Sequence, residues 1–256
     1  MIFLDNVAFS YPDHEPVFKD LYWTVESGEA WAVLGPSGCG KTTLLYLLAG
    51  LRQPSHGAIF ISDQQQFGPR PGTGLILQDY GLLPWATAED NVKLGLKIRK
   101  FYGPDGKHSP EDEPAINHEE RVAYWMNRLN LVPHAHKYPG QLSGGQRQRV
   151  AIARTLALVP DILLMDEPFA SLDAPTREQL QNLTFELRSE ADLTTIIVTH
   201  AIEEAAVLGN KVLVLDQPPN ENPIVVDNPG AGKDDYRHSS DYYQMCTALR
   251  QKMERP

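Results

Sequence analysis

Cysteine is scarce in this chain. Its 256 residues include only Cys39 and Cys246, which make no disulfide framework and stand at no metal-ligand spacing. A reducing compartment is expected, with the cytoplasm as default. Long apolar runs are also missing: no stretch approaches the roughly 18 apolar residues that a membrane-crossing helix needs. Work at a membrane would require another subunit to do the crossing. The opening "MIFLDNVAFSYPDHEP" has no basic segment leading into an apolar run and is not expected to be a secretory signal. Positive charge is in deficit, with 23 Lys+Arg against 33 Asp+Glu and a formal net charge of −10. That balance argues against broad, salt-dependent binding to nucleic acid or to an anionic lipid surface.

Apolar residues make up 42% of the chain, enough to fill the core of one large domain or of a domain with an inserted lobe. "IFLDNVAFSY" and "LYWTVE" alternate as strands do, and "GEAWAVLG" is a short apolar run closed by glycine. Thr42 to Ala49 reads as helix, "GAIFI" and "TGLILQ" as strands, and Glu89 to Lys100 as helix again. From about Ala86 to Val159 the signals are helical, dominated by "HEERVAYWMNRLNLV" (His118 to Val132) and a helix after Leu142. Alternation then resumes through "DILLMDEP", "APTREQLQNLTFELRSEA", "TTIIVTH", "IEEAAVLG" and "KVLVLD". The reading is an α/β core from residues 1–85 and 160–256, with residues 86–159 as an inserted, mainly α-helical lobe. "FYGPDGKHSPEDEPAINHEE", rich in Pro, Gly and acid, is expected to be a solvated loop. The tail should place turns around one short strand before a helix near Asp241 to Met253.

One segment carries clear chemistry. Gly35, Gly40, Lys41 and Thr42 match G-x-x-x-x-G-K-[ST], after the apolar strand "WAVL" and before a helix, which is the context this phosphate-binding loop requires. Its glycines let backbone N–H groups approach phosphates, Lys41 supplies a point charge to the β/γ oxygens, and the Thr42 hydroxyl can join an Mg²⁺ shell. The expected nucleotide-binding set is Gly35, Pro36, Ser37, Gly38, Cys39, Gly40, Lys41, Thr42 and Thr43. A nucleoside triphosphate with magnesium is the expected ligand.

A second apolar strand, "ILLMDEP", ends in two carboxylates. Asp166 is placed to hold the metal shell, and Glu167 is assigned as general base toward an attacking water. Gln78 and His200 each close an apolar strand of the same presumed sheet, at the edge where α/β sheets bind ligands. The pair His134 and His136 in "PHAH" lacks acid or cysteine company and reads as loop.

A second glycine-led helix start, "LSGGQRQRVAIARTL" (Leu142 to Leu156), raises the question of what it would hold. Ser143 and the N–H groups around Gly144 and Gly145 form the positive end of that helix, suited to a γ-phosphate. Tyr11, the loop Gly35 to Thr42, Gln78, "LSGGQ", "ILLMDEP", "SLD" and His200 occur in the order and approximate spacing of an ATP-binding cassette subunit. Over nearly its whole length the chain resembles an ABC transporter ATPase. The resemblance implies a single ABC ATPase domain: a P-loop NTPase core sheet with an antiparallel β region and the inserted helical lobe. It also implies a head-to-tail dimer in which each ATP lies between the phosphate loop of one subunit and the "LSGGQ" of the other.

By the same resemblance, Tyr11 stacks on adenine, Gln78 contacts Mg²⁺ and senses the membrane partner, His200 steadies the γ-phosphate, and Asp173 crosses the dimer interface. The implied partners are a second ATPase subunit, transmembrane permease subunits and an extracytoplasmic solute-binding protein, with the chain peripheral on the cytoplasmic face of the membrane. "LLPW" shortly after Gln78, followed by an acid-Asn-Val helix start, is similar to importers of nitrate, sulfonate and taurine; the short C-terminus argues against sugar importers with a regulatory domain there. The alternative is an ABC ATPase acting in nucleic-acid repair or translation. The acidic charge, the lack of a splitting coiled coil and the single cassette all weigh against it. A P-loop kinase or GTPase leaves "LSGGQ" unexplained.

Overall fold

Alternating apolar side chains at the start of the chain produce an antiparallel pair, β1 (Ile2–Ser10) and β2 (Pro16–Val25), with Ile2 opposite Val25 and Leu4 opposite Trp23. The structure, a computed structural model, describes residues 1–111, 117–233 and 235–254. The uninterrupted apolar run that follows is β3 (Ala30–Leu34), buried at every residue, and it leads through the glycine loop into α1 (Lys41–Leu48). β4 (His56–Ile61) turns back through Ser62 and Asp63, both at positive φ, into β5 (Gln64–Gln65). Ser-Asp is a weaker hairpin signal than Asn-Gly, and the sequence reading omits this turn.

β6 (Thr73–Ile76) is followed by α2 (Ala88–Tyr102), α3 (His118–Arg128) and α4 (Gly144–Leu156). Thr87 caps α2 by accepting the Asp90 N–H, and Gly103, at φ 73°, ends it. Phe101 and Tyr102 therefore belong to helix rather than to the loop expected there, and His118 to Glu120 open α3. Residues 112–116 of that expected loop lie outside the described residues. α3 stops at Arg128, short of the expected Val132, where Asn130 adopts φ 54° and turns the chain. The remaining elements are β7 (Ile162–Asp166), α5 (Ala174–Ala191), β8 (Thr194–Thr199), α6 (Ile202–Leu208), β9 (Lys211–Val214), β10 (Ile224–Asp227) and α7 (Ser240–Met253).

The chain divides into two units, one of residues 1–69, 164–167 and 185–256, the other of residues 70–163 and 168–184. The first holds an antiparallel sheet ordered β2-β1-β4-β5 and a second sheet ordered β10-β9-β3-β8-β7. β3 runs parallel to β8 and β9 and is flanked by both, which explains why "AWAVL" lacks alternation: both of its faces are covered. On one face, Ala205 and Ala206 of α6 and Cys246 and Leu249 of α7 pack against Ala32, Leu34, Val212 and Val214. In that core each fully buried large aliphatic side chain contributes roughly 1.5–3 kcal/mol.

In the second unit the N–H groups of Asp161 and Ile162 both donate to Gly72 O, setting the start of β7 beside β6. Ala88, Val92 and Leu96 of α2, Val122 and Met126 of α3, and Val150, Ala151 and Ala153 of α4 are buried. The helical spacing of these residues is what the sequence pattern reports. Asn91, fully buried in α2, is a polar exception with a visible purpose. Its Oδ1 accepts the Leu83 N–H at 2.8 Å, and its Nδ2 donates to the carbonyls of Leu83, Ala86 and Thr87. One side chain thus fastens the loop that carries Trp85. Asn91→Ala leaves those groups without partners, and we expect a loss of about 2–3 kcal/mol, read as a lower urea midpoint with helix content otherwise retained.

Candidate functional site

The carboxyl ends of β3, β8 and β7 assemble the first part of the site. Leu34 pairs in register with Thr199, and the Glu167 N–H donates to Val198 O at 3.0 Å. The glycine loop, His200 and the two acids therefore meet at one sheet edge, the edge where open α/β sheets bind ligands. An open cavity of about 760 Å³ lies there, lined by Tyr11, Ser37, Gly38, Gly40, Lys41, Thr42, Thr43 and Glu167, and also by His14, Glu15 and Pro218. Its size suits a nucleotide.

Glycine is required at Gly40, where φ is 104° and a Cβ would meet Val17 Cγ1 at 2.4 Å. Gly40 caps α1 in the left-handed region with no side-chain acceptor, so the first N–H groups of the helix are left for an anion. Lys41 is buried, and its Nζ donates to Gly35 O at 2.8 Å and Pro36 O at 2.9 Å. Its charge is centred in the loop by the loop's own carbonyls. Tyr11 stands at the cavity wall, its hydroxyl 3.1 Å from Thr43 Oγ1 and its ring under the Arg52 guanidinium at 5.7 Å.

Asp166 is buried, and burial pushes its carboxyl above the usual carboxylate range; Thr42, hydrogen-bonded to it, and the Lys41 charge oppose that rise, while the Glu167 charge adds to it. A hydroxyl and a carboxylate in contact form a hard, oxygen-only donor pair. Among the described residues no cluster of three or more His, Cys, Asp or Glu could hold a metal. Magnesium fits such a pair, since it keeps several waters and takes phosphate oxygens as its other ligands. Glu167 sits at φ 42°, an uncommon conformation for a residue with a side chain, and its Oε1 lies 3.0 Å from His200 Nδ1. The sequence reading gives these two residues separate roles; the structure pairs them. β8 ends at Thr199, directly before His200.

The remaining candidates belong to the second unit. Gln78 does not close its strand: β6 stops at Ile76, and Gln78 lies exposed in the following turn, because Tyr80 and Gly81 at positive φ bend the chain. Ser143 caps α4 in a reciprocal box, its Oγ accepting the Gln146 N–H while Gln146 Oε1 accepts the Ser143 N–H at 2.9 Å. Gly144 and Gly145 follow as the first turn, and a Cβ on Gly145 would meet Thr176 Cγ2 at 2.5 Å. Asp173 Oδ1 accepts the Thr176 N–H at 3.1 Å at the start of α5, and that bond holds its carboxyl below the usual range.

The model of the ABC transporter family matches residues 18–170. The chain belongs to that family. It is 40% identical over 212 residues to the taurine import ATP-binding protein of Pelagibacter ubique, covering 82% of this chain and 76% of the relative. To the taurine import ATP-binding protein of Escherichia coli it is 41% identical over 216 residues, 84% of this chain and 80% of the relative. Among solved structures it is similar to the cassette MJ0796, determined as a dimer in a post-hydrolysis state bound to ADP and phosphate. The TM-score is 0.73 at 30% identity, with 88% of this chain and 98% of that chain covered. As an ABC ATP-binding subunit the chain is an ATPase, and its fold is that of the ABC cassettes.

Two supports of this ABC site escape the sequence reading. Asn220, in the run "QPPNENP", is buried, donates to Cys39 O at 2.8 Å and accepts the Asp216 N–H, bracing the glycine loop from the tail. Arg154, late in α4, donates to Gly81 O at 2.6 Å and Tyr80 O at 2.8 Å, while the Tyr80 hydroxyl lies 2.8 Å from Ser171 Oγ. Neither makes a motif; each is a lone polar residue in a segment that already has another explanation. The buried Asp166 also has a cost. Since its folded-state carboxyl titrates above the unfolded one, the penalty appears as pH rises through the folded value and is absent below the unfolded one. At neutral pH the nucleotide-free Asp166→Asn protein should therefore melt above the unsubstituted protein, a difference that disappears toward acid pH; differential scanning calorimetry across that range is the check.

Proposed function

We propose that this chain is the ATP-hydrolysing subunit of an ABC importer and that two copies close head to tail on two ATP molecules. In each composite site the loop Gly35 to Thr43 cradles the phosphates, Lys41 places its charge on the β/γ oxygens, and Tyr11 offers its ring to the adenine. Thr42, Asp166 and Gln78 would hold Mg²⁺, which when bound would neutralise developing phosphate charge. Glu167 takes the proton from the attacking water, and His200, through Nδ1, fixes the direction of that carboxylate while Nε2 turns to the γ-phosphate. Ser143, Gly144 and Gly145 of the opposing copy close on the same phosphate, and Asp173 crosses the interface. The observation that carries this reading is the juxtaposition of the cavity-lining loop, the Thr42–Asp166 pair and the Glu167–His200 pair at one sheet edge.

The importer half of the reading rests on the relatives and on one surface feature. Trp85, 74% exposed on a loop held by Asn91, offers an apolar anchor to a helix of a separate permease, in keeping with the enrichment of aromatics at interface centres. No described helix is long and apolar enough to cross a membrane. In this reading the subunit is a peripheral component at the cytoplasmic face, and an extracytoplasmic solute-binding protein delivers cargo. A small sulfonate of the taurine type is the cargo the named relatives favour.

Glu167→Gln keeps size and hydrogen bonding but cannot accept a proton. Steady-state ATP turnover should fall by roughly 10²–10⁴ while ATP binding persists and a closed dimer accumulates; normal turnover would remove Glu167 from the role of base. The shared site has its own test in mixed dimers. Gly145 is a poor target because any side chain there collides with Thr176, whereas Ser143→Asp preserves the helix cap and sets a carboxylate against the phosphate. A dimer of one Lys41→Ala and one Ser143→Asp subunit gathers both lesions in one site and leaves the other intact. It should trap one ATP per dimer where each homodimer traps none. Verified mixed dimers that trap no more than the homodimers would sink the composite site.

A further inference from the structure

We propose that His134 is a positioning residue for the phosphate-facing end of α4, locking the Gln146 amide in the one orientation that completes the Ser143 capping box. This rests on the reading of Ser143 to Gly145 as the part that closes on a partner's ATP. Gln146 Oε1 must accept from the Ser143 N–H, because a backbone amide can only donate; the Gln146 NH₂ is therefore fixed as the outward group. That NH₂ lies 2.9 Å from His134 Nε2. Two donors cannot bond each other, so His134 Nε2 offers its lone pair and the neutral ring carries its proton on Nδ1, which is buried and has no hydrogen-bond partner in the structure.

The consequence for Ser143 follows from rotation of one amide. Turning the Gln146 side chain over would set its NH₂ against the Ser143 N–H and discard the bond to His134, so the imidazole opposes that rotation from the far side. With the box closed, Ser143 Oγ accepts the Gln146 N–H, and its own proton is free to point outward toward a phosphate. The backbone that carries the imidazole is well anchored. The His134 N–H donates to Leu131 O, while the carbonyls of Ala135 and Lys137 accept the Glu89 and Ala88 N–H groups at the start of α2. His134 touches no reacting atom; it acts through Gln146.

A long-range ¹H–¹⁵N spectrum of the imidazoles in the full chain, with His134→Gln for assignment, gives the first reading. We expect neutral His134 as the Nδ1–H tautomer, the less favoured form in water; an Nε2–H tautomer overturns the proposal. The second reading is the KM for ATP. His134→Leu should raise it roughly fivefold, the loss of about one neutral hydrogen bond, with ATP binding to the Lys41 loop of single subunits unchanged. His134→Gln, which presents an acceptor oxygen in the same direction, should bring KM back to within about twofold of the unsubstituted value. Ser143→Asp is run alongside. If it impairs the enzyme while His134→Leu does not, or if His134→Gln is as impaired as His134→Leu, the positioning role is wrong. If Ser143→Asp itself changes nothing, the reading of the α4 start fails instead, and the tautomer alone decides whether His134 orients Gln146.

Discussion

The register of β3 between β8 and β9 is the constraint on which the nucleotide site depends. Leu34 lies level with Thr199, and the backbone of Glu167 bonds to Val198 one residue before it. A parallel sheet delivers several chain segments to one edge, each at the end of its own strand. The chemistry then needs only short loops. The glycine loop returns Lys41 and Thr42 to that edge, and Asp166, Glu167 and His200 stand at or directly after the ends of β7 and β8. A slip of one residue in β3 would turn its side chains to the opposite face and carry the glycine loop away from Asp166. The buried, non-alternating runs of β3, β7 and β8 protect against that slip because every position in them is packed.

Around that edge the loop is held by groups that have no part in chemistry. Carbonyl groups of the loop bind Lys41, and Asn220 reaches from the tail to Cys39 O. Burial, which disfavours charge on Asp166, is opposed by Thr42 and Lys41. The loop is thus held by its own carbonyls and by the tail, around a buried carboxylate whose charge burial disfavours and a cation would stabilise. In the second unit a comparable economy appears at α4, where the serine that faces outward is oriented by a glutamine, and the glutamine by a histidine.

Much of this was legible in the sequence because it rests on local rules. The glycine loop needs positive φ and close backbone approach at Gly40, and glycine is written there. The strands of the parallel sheet are continuous apolar runs, and the helices of the second unit repeat at helical spacing. The α4 start shows both its cap and its glycines. What was not legible depends on contacts between distant segments. Nothing near Asn220 says that it meets Cys39, and nothing near Arg154 says that it closes on Tyr80 and Gly81. The apolar run to Leu77 places Gln78 at a strand end in the sequence, but β6 stops at Ile76 and the chain turns through Tyr80 and Gly81 at positive φ, a conformation that Tyr80 does not announce. The sequence around His134 shows no acid or cysteine ligand for a metal and reads as loop; its partner in the structure is the Gln146 amide, twelve positions along the chain.

The hydroxyl contact between Tyr80 and Ser171 joins two stretches that the proposed mechanism sends in different directions. One runs from Gln78 to Trp85, toward a membrane partner; the other holds Asp173, toward a sister subunit. Arg154 grips the first of them by two carbonyls from within α4. A displacement arriving at either stretch must therefore break or carry along the other. In the proposed cycle of closing and reopening, that contact couples the membrane-facing stretch to the subunit-facing one, so that the two move as one piece.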